Sequence, residues 1–192
     1  MKKLILIFFI LMSSTLFAQE ETPKTALLLI DIQNFYYPGG ASELYEPEQA
    51  GLNAQKILYY FRETNQLVIH IRHNFEPGGE IHADVAPIDG EKIISKNEVN
   101  AYKGTDLLAY LKSHNITDIV IVGMQTHMCL EAATRASYDY DFKCTVIENA
   151  CTTKDIKYGD RIIKAEDVHY STLGTLKNYA TITTMLEYLS DK

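Results

Sequence analysis

The stretch IVIVGMQTHMCLEAATRASYDYDF, residues 119–142, decides the fold. Ile119, Val120, Ile121 and Val122 form an unbroken apolar run, the pattern of a strand buried on both faces of a parallel sheet. Gly123 ends it, and a helix follows whose first turn carries Cys129. Strand, glycine and helix in succession make the unit from which a parallel sheet with helical crossovers is assembled. The turn also has chemical meaning. The free N–H groups at a helix start favour the thiolate form of Cys129 and could receive an oxyanion formed by its attack.

Outward in both directions the unit repeats. Ala26-Leu27-Leu28-Leu29-Ile30 is another continuous apolar run, ending at Asp31. Ala54, Ile57, Leu58 and Phe61 then keep helical spacing until Asn65-Gln66 breaks it. Leu67-Val68-Ile69-His70-Ile71 predicts a second strand, and Lys92-Ile93-Ile94-Ser95 a weaker third that leads into Lys96. Thr105 can cap a helix bearing Leu107, Leu108 and Leu111 on one face, with His114-Asn115 ending it. Further on, Cys144-Thr145-Val146-Ile147 reads as a strand, and Val168, Leu173 and Leu176 mark a helix. Ala180-Thr181-Ile182-Thr183 predicts a last strand before a closing helix. The expected fold is therefore α/β: three layers, α/β/α, around a doubly wound, mostly parallel sheet of Rossmann-like type. Ligands of such sheets lie beyond the carboxyl ends of the strands, where Asp31, Lys96 and Cys129 all fall.

Composition narrows the class of protein. With 192 residues, 46% of them hydrophobic, the chain can bury a full core as one domain. Its first residues read differently. Lys2 and Lys3 precede the apolar run from Leu4 to Leu11, then Ser13, Ser14 and Thr15, with Ala18 before Gln19. That is the pattern of a secretory signal peptide over residues 1–18, leaving a domain over 19–192 and implying export to a periplasm or the extracellular space. The apolar run is too short for a comfortable membrane span. Removal of the leader takes away two lysines and no acid, so a net charge of −7 becomes more negative still. An acidic domain with no basic cluster is a poor partner for nucleic acid or an anionic membrane surface, and a small-molecule substrate is expected. Three cysteines are present, an odd number that suggests a free thiol in an exported protein. Cys144 and Cys151 could pair with each other, or both could be small buried hydrophobes.

At this point the residues resemble the isochorismatase-like cysteine hydrolases, the superfamily that includes nicotinamidases and related amidases. Six pieces carry the resemblance: LLLIDIQNFYYPGG (27–40), HIRHN (70–74), GEKIISKNEVNAYKGTDL (90–107), GMQTHMCLEAATRAS (123–137), VIENACTT (146–153) and AEDVHYSTLGTL (165–176). They stand in the family's order and cover nearly all of 19–192. The resemblance implies a catalytic triad of Asp31, Lys96 and Cys129. It also implies a cis peptide between Met124 and Gln125, with the backbone N–H groups of Gln125 and Cys129 as an oxyanion hole. Taken singly, each triad residue has an ordinary reading: a capping carboxylate, a solvated lysine, a core cysteine. Together, in this family's frame, they point to catalysis.

The expected chemistry follows from charge. Lys96 and the helix start would lower the thiol from its usual value of about 8.5, and Asp31 would take the proton. The thiolate would attack an amide or similar carbonyl, and water activated by Asp31 would then hydrolyse the thioester. Family members that hydrolyse the vinyl ether of isochorismate lack the nucleophilic cysteine, so Cys129 implies the C–N hydrolase branch. Rival readings are a hydrolase of a lactam or ester, a catalytically silent binding protein on the same scaffold, and a thiol redox protein using Cys144 and Cys151.

Around the triad, Gln33 matches a position that supports the first loop, and Tyr36 and Tyr102 match positions that often carry a pocket-lining aromatic; His73 either points into the pocket or stands in an exposed loop. Nicotinamidases hold a metal through an Asp and several His residues after the second strand. The corresponding HIRHNFEPGGEIHADVAP (70–87) lacks the Asp-x-His arrangement, so no metal and no cofactor are expected, and nicotinamide is disfavoured as substrate. His82 has no assigned role. His127 is expected to support the nucleophile turn, and Arg135 to make a structural ion pair. The family's habit implies a homo-oligomer.

Overall fold

A computed structural model of the protein describes residues 24–192, so the leader expected over 1–18 lies outside the described residues. Six strands form one sheet: β1 (Thr25–Ile30), β2 (Leu67–His73), β3 (Lys92–Lys96), β4 (Asp118–Met124), β5 (Lys143–Thr152) and β8 (Ala180–Thr183). Their order is β3-β2-β1-β4-β5-β8, and every neighbouring pair is parallel. The chain winds outward from β1 through β2 to β3, then crosses back to lay β4 on the other side of β1. The sheet therefore changes winding direction between β1 and β4, and a crevice opens at their carboxyl ends.

Alternation along the strands divides the core into two layers. Leu27, Leu29, Val68, Val120 and Val122 face α1 (Pro47–Glu63) and α5 (Met185–Ser190), meeting Ala54, Ile57, Leu58 and Phe61 of α1. Leu28, Ile30, Ile69, Ile71, Ile119 and Ile121 face the opposite way, toward α2 (Leu107–Ser113), α3 (Glu131–Asp139) and α4 (Ala165–Leu176). Full burial of each such side chain contributes about 1.5–3 kcal/mol, which is what holds each helix to its face. The helix ends follow local chemistry. After α1 and α2 the chain turns at Asn65 (φ 52°) and Asn115 (φ 55°), both left-handed, a conformation asparagine tolerates and other side chains avoid.

Two features depart from the sequence reading. β5 runs on to Thr152, because its register against β4 slips between Ile121 and Gly123 and the extra residues bulge. The bulge turns Asn149 so that its carbonyl accepts from Asn53 and its Oδ1 from the Met185 N–H, tying α1 and α5 to the sheet. A short antiparallel hairpin, β6 (Ile156–Tyr158) and β7 (Arg161–Ile163), was not anticipated. Its signal is the Gly159-Asp160 turn, with Gly159 at φ 59°. All three cysteines are free and buried. Cys144 and Cys151 lie near opposite ends of β5, too far apart along one strand for the pairing considered above. No helix among the described residues is long and apolar enough to cross a membrane.

Candidate active site

Each of the three expected groups is delivered by the end of a different strand. Asp31 follows β1 directly and sits at φ 49°, a left-handed kink that turns its side chain into the crevice. Its N–H donates to the Ile71 carbonyl at 3.0 Å, fixing the kink against β2. Lys96 is the last residue of β3, and its ammonium reaches the same point. Cys129 lies in the wide turn Thr126–Leu130 between β4 and α3, closed by the Leu130 N–H on the Gln125 carbonyl at 3.3 Å. Such wide turns are frequent at functional sites. The Met124–Gln125 peptide at the head of the turn is cis.

These elements bring the three groups together. Lys96 Nζ stands 2.7 Å from Asp31 Oδ2 and 3.3 Å from Cys129 Sγ. Asp31 is 0% exposed, Lys96 1% and Cys129 5%, so the charges work in a nearly dry environment. The ammonium approaches Asp31 Oδ2 as an ion pair, and the Cys129 thiol lies within hydrogen-bonding reach of the same carboxylate. A buried carboxylate in contact with both an ammonium and a thiol is placed to exchange a proton with the sulfur.

Burial sets the protonation states. It pushes the Asp31 carboxyl upward, against the lowering influence of Lys96. It also pushes the Cys129 thiol up to about 12, with the Asp31 charge acting in the same direction and Lys96 opposing. This corrects the expected low-pKa thiolate. Removing the sulfur from water and placing a carboxylate beside it outweigh Lys96 and the helix start. Burial and the neighbouring carboxylate thus favour the thiol form of Cys129, whose proton must be removed as the reaction begins.

His73, at the end of β2, puts Nδ1 3.2 Å from Lys96 Nζ. The ligand-type atoms of Asp31, His73 and Cys129 all lie within 4.8 Å of one another. Such a set suits a cation, and the cation it surrounds is the Lys96 ammonium. Tyr36, 6% exposed, takes a hydrogen bond on its hydroxyl from Gln125 Nε2 at 3.3 Å, beside the nucleophile turn. The Tyr102 hydroxyl is engaged with Ser137 Oγ at 2.7 Å and its ring packs on Tyr140, so the hydroxyl is directed at α3.

Two histidines brace the turn, His127 from within it and His169 from α4. His127 Nδ1 bonds Thr153 Oγ1 at 2.6 Å, and His169 Nδ1 of α4 bonds Thr126 Oγ1 at 2.9 Å. His169 lies within the AEDVHYSTLGTL segment. Nothing in its spacing marks it, because its partner is forty-three positions away. Arg135 pairs with Glu131 at 2.8 Å and lies over the Tyr179 ring. His82 stacks on Tyr37 with centroids 3.5 Å apart. A cleft of about 640 Å³ opens beside α1 and α4, but none of Asp31, Lys96 and Cys129 lines it.

A parallel doubly wound sheet with these groups at its switch point defines a class of α/β hydrolases, and comparison with known proteins says which. Residues 25–185 match the isochorismatase domain model, and the chain belongs to the isochorismatase family of hydrolases. It is 39% identical to the isochorismatase family protein YddQ of Bacillus subtilis, over 86% of this chain and 98% of that one. A crystal structure from Oleispira antarctica assigned to the isochorismatase hydrolases superposes with a TM-score of 0.84 at 34% identity, covering 88% of this chain and 98% of the other. The maleamate amidohydrolase of Pseudomonas putida is 24% identical over 74% of this chain and 84% of its own.

Proposed function

We propose that the protein is a cysteine hydrolase that cleaves a C–N bond of a small amide, ureido or carbamoyl compound through a thioester on Cys129. One observation carries the reading: the buried Asp31–Lys96–Cys129 cluster, in which Asp31 faces both the Lys96 ammonium and the Cys129 thiol. The similarity to an amidohydrolase supports the choice of bond.

The steps follow from the geometry. Asp31 takes the thiol proton as sulfur attacks the carbonyl carbon, so the S–C bond forms and the carbonyl electrons move onto oxygen. The raised Asp31 carboxyl narrows its gap to the thiol and makes that transfer less uphill. Lys96 offsets the negative charge on whichever partner holds it. The backbone N–H groups of Gln125 and Cys129 receive the oxyanion. Removal of one such donor typically costs about 3–4 kcal/mol of transition-state stabilisation. Collapse then expels the amine, which takes the proton from Asp31. Water, deprotonated by Asp31, hydrolyses the thioester and returns the thiol. Export of the domain and self-association belong to the same reading, though no catalytic step depends on either.

The test is ammonia release from a panel of small primary amides, ureido and carbamoyl compounds, with intact-mass detection of the acyl-enzyme. Wild type should turn over at least one member and carry the acyl mass on Cys129. Cys129→Ala should do neither, and Asp31→Asn should lose about 10²–10⁴-fold in rate. Full activity in Cys129→Ala would remove the nucleophile from the mechanism.

A further inference from the structure

Lys96 has three N–H donors and four acceptors within reach: Asp31 Oδ2 at 2.7 Å, the Glu98 carbonyl at 3.1 Å, His73 Nδ1 at 3.2 Å and Cys129 Sγ at 3.3 Å. Because an ammonium only donates, His73 Nδ1 must be the unprotonated nitrogen of a neutral ring, with its proton on Nε2. We propose that His73 is a positioning residue, a neutral acceptor that holds the Lys96 ammonium in the one orientation that serves both Asp31 and Cys129.

The surroundings of His73 are built to keep it there. His73 and Lys96 are register partners on β2 and β3, so their side chains leave the sheet on the same face. The Asn74 N–H donates to the Lys96 carbonyl at 2.8 Å and locks the two strand ends together. Gln33, 0% exposed, clamps the His73 backbone at both of its polar groups. Its Oε1 accepts from the His73 N–H at 2.8 Å and its Nε2 donates to the His73 carbonyl at 2.9 Å. The same Nε2 reaches the Gly79 carbonyl at 2.6 Å, joining the clamp to the loop beyond. A buried amide that engages both backbone polar groups of one residue gives that residue little freedom.

The consequence lies in proton transfer. While Cys129 is a thiol, its sulfur is the weakest of the four acceptors and shares an ammonium proton. Once Asp31 takes the thiol proton, the sulfur carries the charge and claims that N–H. His73 and the Glu98 carbonyl hold the other side of the ammonium, so this change needs no swing of the lysine stem. The charged and titratable groups facing the His73 ring are Lys96 from β3, Asp31 from the end of β1, Glu98 from the loop after β3 and Cys129 from the nucleophile turn. Burial and Lys96 both disfavour a second cation there, which keeps the ring neutral and accepting.

The inference rests on Asp31, Lys96 and Cys129 being the reacting groups, and the experiment separates the two. Iodoacetamide alkylation of Cys129 is timed at mildly alkaline pH in wild type, Asp31→Asn, His73→Leu, His73→Asn, Lys96→Met, and the His73→Leu/Lys96→Met double variant. His73→Leu should alkylate about tenfold more slowly, in the same direction as Lys96→Met, because an unheld ammonium no longer favours the thiolate. In the Lys96→Met background the leucine should add nothing. His73→Asn, which offers an oxygen near the place of Nδ1, should recover most of the rate. If Lys96→Met and Asp31→Asn both alkylate like wild type, the catalytic reading fails and this one with it. If they change while His73→Leu does not, or if its effect persists without Lys96, only the role of His73 is lost. Should His73→Leu fail to fold, ¹⁵N-histidine NMR of the wild type decides: an Nε2–H ring at neutral pH, with His73 titrating at higher pH in Lys96→Met, supports the proposal. A proton on Nδ1 overturns it.

Discussion

Gly123 packs against Ile30 so tightly that one added methyl group would overlap the Ile30 carbonyl oxygen. The two are register partners on β4 and β1, and each precedes a reacting element: the nucleophile turn on one strand, Asp31 on the other. Gly123 also sits at φ 127°, where side chains rarely go. The carboxylate and the thiol are thus brought together by a backbone contact that only glycine permits.

Gly123→Ala should therefore damage stability and activity together. The backbone clash and the unfavourable φ should cost about 2–4 kcal/mol in urea denaturation. Pushing β1 from β4 also moves Asp31 from Cys129, so hydrolysis should fall beyond what the stability loss explains. Gly174, inside α4, is the internal control. A Cβ there meets nothing within 4 Å, and Gly174→Ala should gain about 0.5–1 kcal/mol with activity intact.

Removal of each charge around the thiol should move its reactivity in opposite directions. The Asp31 charge helps hold Cys129 protonated, and Lys96 opposes it. Asp31→Asn should lower the pH at which the thiol ionises, so alkylation becomes faster than wild type at a given pH while hydrolysis is lost. Lys96→Met should raise that pH and slow alkylation. A faster thiol in a dead enzyme is the signature of a general base; equal slowing in both variants would argue for mere disruption of the site.

Much of this site could be read from the chain because its parts sit where short patterns are strongest. The runs at 26–30 and 119–122 are buried on both faces, so composition alone marks them as strands, and Asp31 and the Cys129 turn follow at once. Lys96 was visible only as part of a family pattern, since a lysine ending a weak strand is ordinarily solvated. The thiol's ionisation was read in the wrong direction. Its sign depends on how completely the fold removes water and on the orientation of Asp31, and neither is written in local spacing. The Gln33 clamp on His73 and the His169 brace on Thr126 join residues far apart in the chain and leave no periodic trace.

The acid limb of activity should report Asp31. Its folded carboxyl is raised, chiefly by burial, so the base is lost as pH falls through a value above the usual carboxylate range. Because Lys96 pulls that value down, the Lys96→Met variant should lose its residual activity at still higher pH. A pH profile of kcat/KM on any amide the wild type hydrolyses tests both statements. An acid limb at an ordinary aspartate value, unmoved in Lys96→Met, would assign the proton elsewhere.

Away from the site, Glu91 should govern acid stability. It accepts from Arg62 Nε and Nη2 at 2.8 and 2.9 Å and from the Ile88 N–H at 3.0 Å, and it meets His70 Nε2 at 2.8 Å. Burial alone would raise its carboxyl, but the hydrogen bonds from Arg62, Ile88 and His70 overcome burial and hold it at about 2. Its folded value lies below the unfolded one, so its stabilisation is complete above about pH 4.5 and lost as pH falls toward 2. His70, 1% exposed, is held below the usual histidine range by burial. The unfolded chain therefore takes up a proton that the folded ring refuses, and stability begins to fall once pH drops below about 6.5. Glu91→Gln keeps the shape of the side chain and removes the charge that Arg62 and His70 face. Allowing for solvent screening near the surface, it should cost about 1–2 kcal/mol at neutral pH. The gap to wild type should close as the native carboxylate is itself protonated in strong acid. Urea denaturation of both proteins across the acid range tests this, and a difference that stays constant with pH would mean the substitution acts through packing instead of charge.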